Sequence, residues 1–202
     1  MADIETFFDL SSPWTRIAFH NLRQLADKLD VTLHWRPFLV GGVFNAVNQG
    51  VYERRANMDA PKTRHQNRWL SEWAEIAGLP MNFPSPHHPL KSIVAMRACC
   101  CLEDDQPMLE TFAEAGFDAQ VREPRTHAAP AVIAEVATAC GLDGHALAEQ
   151  TSDPAIKARL RENTDEAIAR GAFGSPTIFV GGDLYFGNDQ LPLVRQALTK
   201  RR

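Results

Sequence analysis

Ser12 stands immediately before Pro13, where an apolar run ending in Phe7-Phe8 gives way to a helical pattern. A serine there accepts an orphan N–H of the first turn, and a proline at the first helical position loses no hydrogen bond. Such a helix start carries unpaired N–H groups and partial positive charge, so it attracts anions. If the chain is an enzyme, an anion is expected at this turn, a thiolate first among the candidates. Taken locally, Ser12 reads as a plain N-cap. Two further stretches lie far along the chain. Phe173-Gly174-Ser175-Pro176-Thr177 reads locally as a strand opened by a proline, and Gly187-Asn188-Asp189 as a turn with an N-cap before the last helix.

The other reactive residue types form no recognisable site. Cys99, Cys100 and Cys101 are adjacent in an apolar helical stretch, and Cys140 stands alone. Neighbours in sequence do not share a helix face, so the triplet reads as small buried hydrophobes and not as a metal site. His87-His88 has no carboxylate or cysteine at ligand spacing. Arg54-Arg55 and Lys200-Arg201-Arg202 read as solvated charge. Gly41-Gly42 is followed by no Lys-Ser/Thr, so it is no phosphate loop; a turn is expected there.

Periodicity supplies the elements that must position these residues. Ile4 to Phe8 is short and apolar enough for a buried strand, and Ala18, Leu22, Leu25 and Leu29 then recur at helical spacing. Val31, Leu33 and Trp35 alternate with polar residues as a second strand, which completes a parallel βαβ unit. From Asn45 to about Ala169 the pattern is helical. Thr177 to Val180 and Leu184 to Phe186 flank Gly181-Gly182-Asp183 as a hairpin, followed by a helix carrying Leu191, Val194, Ala197 and Leu198. Neither strand pair is stable alone, so the two are expected to share one sheet. The order predicts an α/β, thioredoxin-like fold with a large inserted all-helical domain. Residues 1–44 and 170–202 make up the first part and 45–169 the second.

Composition sets further bounds. The 202 residues are 45% hydrophobic with a net charge of −4, which suits a globular core and gives no support for nucleic-acid binding. The N-terminus shows no signal-peptide pattern, and no apolar run is long enough to span a bilayer. Three adjacent cysteines are no disulfide framework, so a reducing cytoplasm is expected.

Three blocks together resemble a known family: Phe8-Asp9-Leu10-Ser11-Ser12-Pro13-Trp14; Trp35 to Phe44; and Gly171 to Thr177 followed by Phe186-Gly187-Asn188-Asp189. The chain is similar over nearly its whole length to the 2-hydroxychromene-2-carboxylate isomerases. These belong with the kappa-class glutathione transferases and share the architecture of bacterial DsbA-like disulfide oxidoreductases. Where the oxidoreductases carry Cys-x-x-Cys this chain has Ser12-Pro13-Trp14-Thr15, so it cannot cycle a disulfide there.

The resemblance implies glutathione as cofactor, with Ser12 hydrogen-bonding its sulfur. A free thiol has a pKa of about 8.5, and a hydroxyl donor with a helix N-terminus lowers it by about two units, or about 2.7 kcal/mol. It implies a cis proline at Pro176, with the backbone groups of Ser175 free to pair with the extended tripeptide. It also implies that Asp189 meets the ligand ammonium, that Asn188, or its backbone N–H, meets its carboxylate, and that Asn48 and Lys62 add cofactor or substrate contacts. The implied reaction is cis–trans isomerisation of 2-hydroxychromene-2-carboxylate by reversible thiolate addition, on a small aromatic carboxylate, in a homodimer. The substrate side departs from the family pattern at His65, Trp69 and Lys91. The alternatives are a kappa-like transferase or peroxidase and a non-catalytic glutathione-binding protein.

Overall fold

The computed structural model describes residues 3–57, 59–81, 83, 90–122 and 129–200. His87-His88, Arg201 and Arg202 lie outside the described residues, as do the side chains of Arg54 and Arg55. Strand β1 (Ile4–Phe8), helix α1 (Pro13–Leu29) and strand β2 (Leu33–Pro37) form the expected unit. The strands pair in parallel with Ile4 opposite Leu33. Strands β3 (Thr177–Val180) and β4 (Asp183–Phe186) form the hairpin, and β3 runs antiparallel to β1. The sheet order is β2-β1-β3-β4, so the two ends of the chain meet at its centre. Asp183, expected in the turn, opens β4 opposite Val180 instead.

Alternation along each strand assigns the two faces of the sheet. Ile4, Phe8, Ile178 and Val180 pack with Phe19 and Leu22 of α1 and with Val194 and Leu198 of α10 (Leu191–Lys200). Phe7 and Phe179 face the other way, against Phe38, Val40, Val43 and Ala167.

The expected turn at Gly41-Gly42 is instead the first turn of helix α2 (Val40–Val47). Two causes act there. The buried carboxylate of Asp9 accepts the N–H of Val40 at 2.9 Å, which starts the helix. A Cβ on Gly42 would come within 3.0 Å of the Thr164 methyl, so this glycine serves close helix packing. The boundary proposed at 44/45 falls inside α2.

Helices α3 (Gly50–Ala56), α4 (Pro61–Ile76), α5 (Ile93–Cys101), α6 (Gln106–Arg122), α7 (Pro130–Ala139), α8 (Gly144–Gln150) and α9 (Pro154–Ala169) follow. α9 returns to the sheet. Arg36 of β2 bonds Glu5 (2.6 Å), Glu103 (2.8 Å) and Glu166 (2.7 Å), and Arg159 bonds Glu103 (2.7 Å). Asn163 of α9 donates to the carbonyl of Pro37 at 3.0 Å. This charged lattice fastens α9 and the start of the α5–α6 connection to β2. Glu103 is almost wholly buried and is matched by two arginines and an amide, as a buried charge requires.

Candidate active site

The site grows from the turn between β1 and α1. Ser12 caps α1, accepting the N–H of Thr15 at 3.2 Å, and Pro13 occupies the first helical position. Leu10, just before the cap, is held from the helical region: its N–H meets the Met96 sulfur at 3.3 Å, and Gln120 donates to its carbonyl at 2.8 Å. Asp9, 1% exposed, accepts the N–H of Ser11 at 2.8 Å as well as that of Val40, so one carboxylate fixes the starts of both α1 and α2.

Ser175 faces this turn. The Ser175-Pro176 bond is cis, as the resemblance implies. The Ser175 hydroxyl accepts the N–H of Asp9 at 3.0 Å and lies 2.7 Å from the Thr15 hydroxyl. Its carbonyl accepts the Ser12 hydroxyl at 3.0 Å. The expectation that both backbone groups of Ser175 stand free therefore needs correction. The carbonyl is engaged by Ser12, because the cap and the proline loop are adjacent. The Ser175 N–H has no partner among the described residues.

Around Ser12 and Ser175 opens a cavity of about 490 Å³. Its described walls include Trp14, Phe44, Asn48, Trp69, Phe173, Phe186 and Asp189. Asn48, at the end of α2, donates to the Phe173 carbonyl at 2.9 Å and so ties that helix to the loop. Phe173 and Phe186 pair with ring centroids 4.5 Å apart. Gly174 permits this, since a Cβ there would stand 2.6 Å from the Phe186 ring.

The structure thus brings Ser12, Asn48, Ser175 and Asp189 to one cavity. Three other candidates stand apart from its described lining. Pro176 lies behind the wall, where its carbonyl accepts the N–H of Gly187 at 3.2 Å. Asn188 is 2% exposed; it accepts from Asn21 of α1 at 2.8 Å, while its Nδ2 has no partner among the described residues. Lys62 is exposed on the first turn of α4, beside the lining residue Thr63 but not itself in the wall. Of the positions where the chain departs from the family, Trp69 lines the cavity, whereas His65 and Lys91 are exposed.

Thr15, Asp9, Gln66 and Asn67 escape a reading of motifs. Thr15 is visible only as the residue at the second Cys-x-x-Cys position. Asp9 depends on α2 starting within its reach, and Gln66 and Asn67 on which face of α4 turns to the cavity.

Burial works against thiolate formation at the described cysteines. Cys99 and Cys100 are buried, and desolvation pushes both thiols far above their ordinary range. Burial pushes Cys101 up to about 11 and raises Cys140 as well. Among the described residues, no group of three or more metal-ligating side chains is found. No helix there is long and apolar enough to cross a membrane.

Comparison with known proteins gives four findings. The DSBA-like thioredoxin domain family model matches residues 3–199. A 2-hydroxychromene-2-carboxylate isomerase of Pseudomonas putida is 26% identical, over 98% of this chain and 94% of its own. Glutathione S-transferase kappa 1 of Rattus norvegicus is also 26% identical, over 98% and 91%. A solved 2-hydroxychromene-2-carboxylate isomerase structure superposes with a TM-score of 0.82 at 25% identity, covering 98% of this chain and 94% of that one.

Proposed function

We propose, for a chain that belongs to the DSBA-like thioredoxin domain family, that the cavity at Ser12 binds glutathione and that the protein is a glutathione-dependent isomerase. The relatives support an isomerase or glutathione-related activity at the level of the family. The thioredoxin-like fold with its helical insertion agrees with that placement.

The observation that carries the reading is the hydroxyl of Ser12, set on the N-terminus of α1 against the Ser175 carbonyl. A cysteine at this turn would supply its own sulfur; a serine there can only receive one. The residues present fit glutathione. The Ser175 N–H, without a partner among the described residues, offers a strand-like edge to an extended tripeptide, joined by the adjacent carbonyl once the Ser12 hydroxyl turns to the sulfur. Asp189 suits an ammonium group. Asn188 stands at the start of the turn leading into α10, where its backbone N–H suits a carboxylate oxygen.

When bound, glutathione supplies a sulfur nucleophile whose reversible addition to a conjugated double bond permits cis–trans rotation. Ser12 and the helix N-terminus stabilise negative charge on sulfur and hold it at one point. Asp9, Met96 and Gln120 fix the backbone of that turn, and the apolar wall excludes water. A homodimer, a cytoplasmic location and an aromatic carboxylate substrate complete the proposal.

The test is turnover of 2-hydroxychromene-2-carboxylate with glutathione in catalytic amount. Isomerisation with the free-thiol concentration unchanged is the expected result. Stoichiometric thiol loss would instead make the protein a transferase, and failure to bind glutathione in calorimetry would remove the reading.

A further inference from the structure

Residues 186–190 carry the cavity wall from β4 towards the last helix, and Asn188 alone among them is not part of the lining. Its side chain is engaged by α1 instead. Asn21 donates through Nδ2 to the Asn188 Oδ1 at 2.8 Å, in a contact that leaves Asn188 2% exposed. The side chain is thus directed at a helix and not at an occupant of the cavity.

Two further hydrogen bonds shape this turn. Gly187 donates to the Pro176 carbonyl at 3.2 Å, and Gln190 accepts the N–H of Phe186 at 2.8 Å. Both act on the side of the turn that joins the sheet, whereas the Asn21 bond fixes the side that meets α1. Asp189 depends on the whole arrangement. Gly187 has φ +85°, and a Cβ there would stand 2.8 Å from the Asp189 Oδ1, so the carboxylate lies folded back over the glycine. Where it points is set by how the turn sits.

The anchor comes from the helix that also starts at Ser12. Trp14 and Asn21 are seven positions apart, so they share a face of α1. Trp14 lines the cavity, and Asn21 stands about 10 Å further along the helix axis. One helix therefore carries the turn proposed to hold sulfur at its start and, two turns on, the anchor of the turn proposed to hold the far end of the tripeptide.

We propose that Asn21 is a positioning residue. Acting through Asn188, it holds the Asp189 turn at a fixed distance from Ser12 and so sets the affinity for the γ-glutamyl end of the ligand without touching it. The identity of that ligand rests on the glutathione reading above. Recognition of the whole tripeptide, and not of a bare thiol, then follows from the rigidity of α1.

The test is calorimetry with glutathione and with N-acetylcysteinylglycine, which keeps the thiol but lacks the ammonium and carboxylate of the γ-glutamyl residue. The wild type is expected to bind glutathione at least tenfold more tightly than the shorter ligand. Asn21→Ala should weaken glutathione at least fivefold, keep N-acetylcysteinylglycine within twofold and leave the pKa of the bound thiol unmoved. The retained affinity for the short ligand certifies the fold. Combining Asn21→Ala with Asn188→Ala should weaken glutathione less than twofold beyond Asn188→Ala alone, because one residue acts through the other. An unchanged preference in Asn21→Ala would overturn the proposal, as would full additivity in the double variant or equal binding of the two ligands by the wild type. If Asn21→Ala weakens both ligands alike, Asn21→Ser decides: a selective loss of glutathione supports the proposal, and a loss of both refutes it. A wild type that binds neither ligand would overturn the glutathione reading and this proposal together, whereas the other adverse outcomes overturn the proposal alone.

Discussion

The Ser12 hydroxyl gives its one proton to the carbonyl oxygen of Ser175, 3.0 Å away and 163 residues further along the chain. This contact couples the two halves of the proposed site. On the proposed function, a sulfur arriving at Ser12 would draw that proton to itself and release the Ser175 carbonyl to accept a peptide N–H. Sulfur capture and peptide pairing would then be linked through one hydroxyl.

The Thr15–Ser175 hydroxyl contact should stabilise the fold measurably. Thr15 is fully buried and lies 2.7 Å from the Ser175 hydroxyl. Thr15→Val keeps the shape and removes the partner, leaving a buried hydroxyl short of a bond at a cost of about 1–3 kcal/mol. Thr15→Ser should restore stability to within about 1 kcal/mol, the worth of the lost methyl. Urea unfolding of both variants is the measurement, and a Thr15→Val protein as stable as the wild type would contradict it.

Asp189 should matter to affinity and not to sulfur chemistry. It lines the cavity as an exposed carboxylate. Asp189→Asn is expected to raise the glutathione Kd about tenfold, or about 1.4 kcal/mol. The pKa of the bound thiol should stay unchanged, because the substitution removes only the proposed partner of the ammonium. Calorimetry paired with a thiolate titration separates the two effects.

Acid should weaken the junction between α9 and the sheet. Burial alone would raise the Glu166 carboxyl, but hydrogen bonds from Arg36 and Arg170 outweigh it and hold the pKa below the ordinary 4.5. Arg159 likewise lowers Asp104. A depressed carboxylate stabilises the fold while ionised, so this contribution is present above about pH 4.5 and is lost as pH falls through the folded value. Denaturant midpoints should therefore drop below that pH, and Glu166→Gln should flatten the drop. An equally steep acid transition in the variant would rule out this assignment.

The buried thiols should resist modification. Desolvation holds Cys99 and Cys100 in the thiol form at neutral pH. Iodoacetamide at pH 7.5 should leave both intact in the folded protein and label them after denaturation, as mass spectrometry would show. Rapid native labelling would contradict the assignment.

The sequence made local features legible. Ser12 and Pro13 announce a helix start through neighbours alone; a compact apolar run exposed β1, alternation exposed β2, and two short runs flanking Gly181-Gly182-Asp183 exposed the closing hairpin. Features set by distant packing were harder. Gly41-Gly42 looks like a turn until Thr164 of α9 is known to press against Gly42. Asp9 looks like an ordinary strand-end aspartate until α2 is found to start within its reach. Lys62 fits a family position, yet one helical position separates it from Thr63, which faces the cavity. A motif carries no information about such a rotation. Gln66 and Asn67 were missed for the same reason.

The central claim is that Ser12 holds an external thiolate, and titrating the thiolate absorbance of bound glutathione tests it most directly. In the wild type the thiol should ionise about two units below its free value of about 8.5. In Ser12→Ala, folded and still binding glutathione, the pKa should rise towards the free value and turnover should fall. An unchanged pKa in that variant would remove Ser12 from the chemistry.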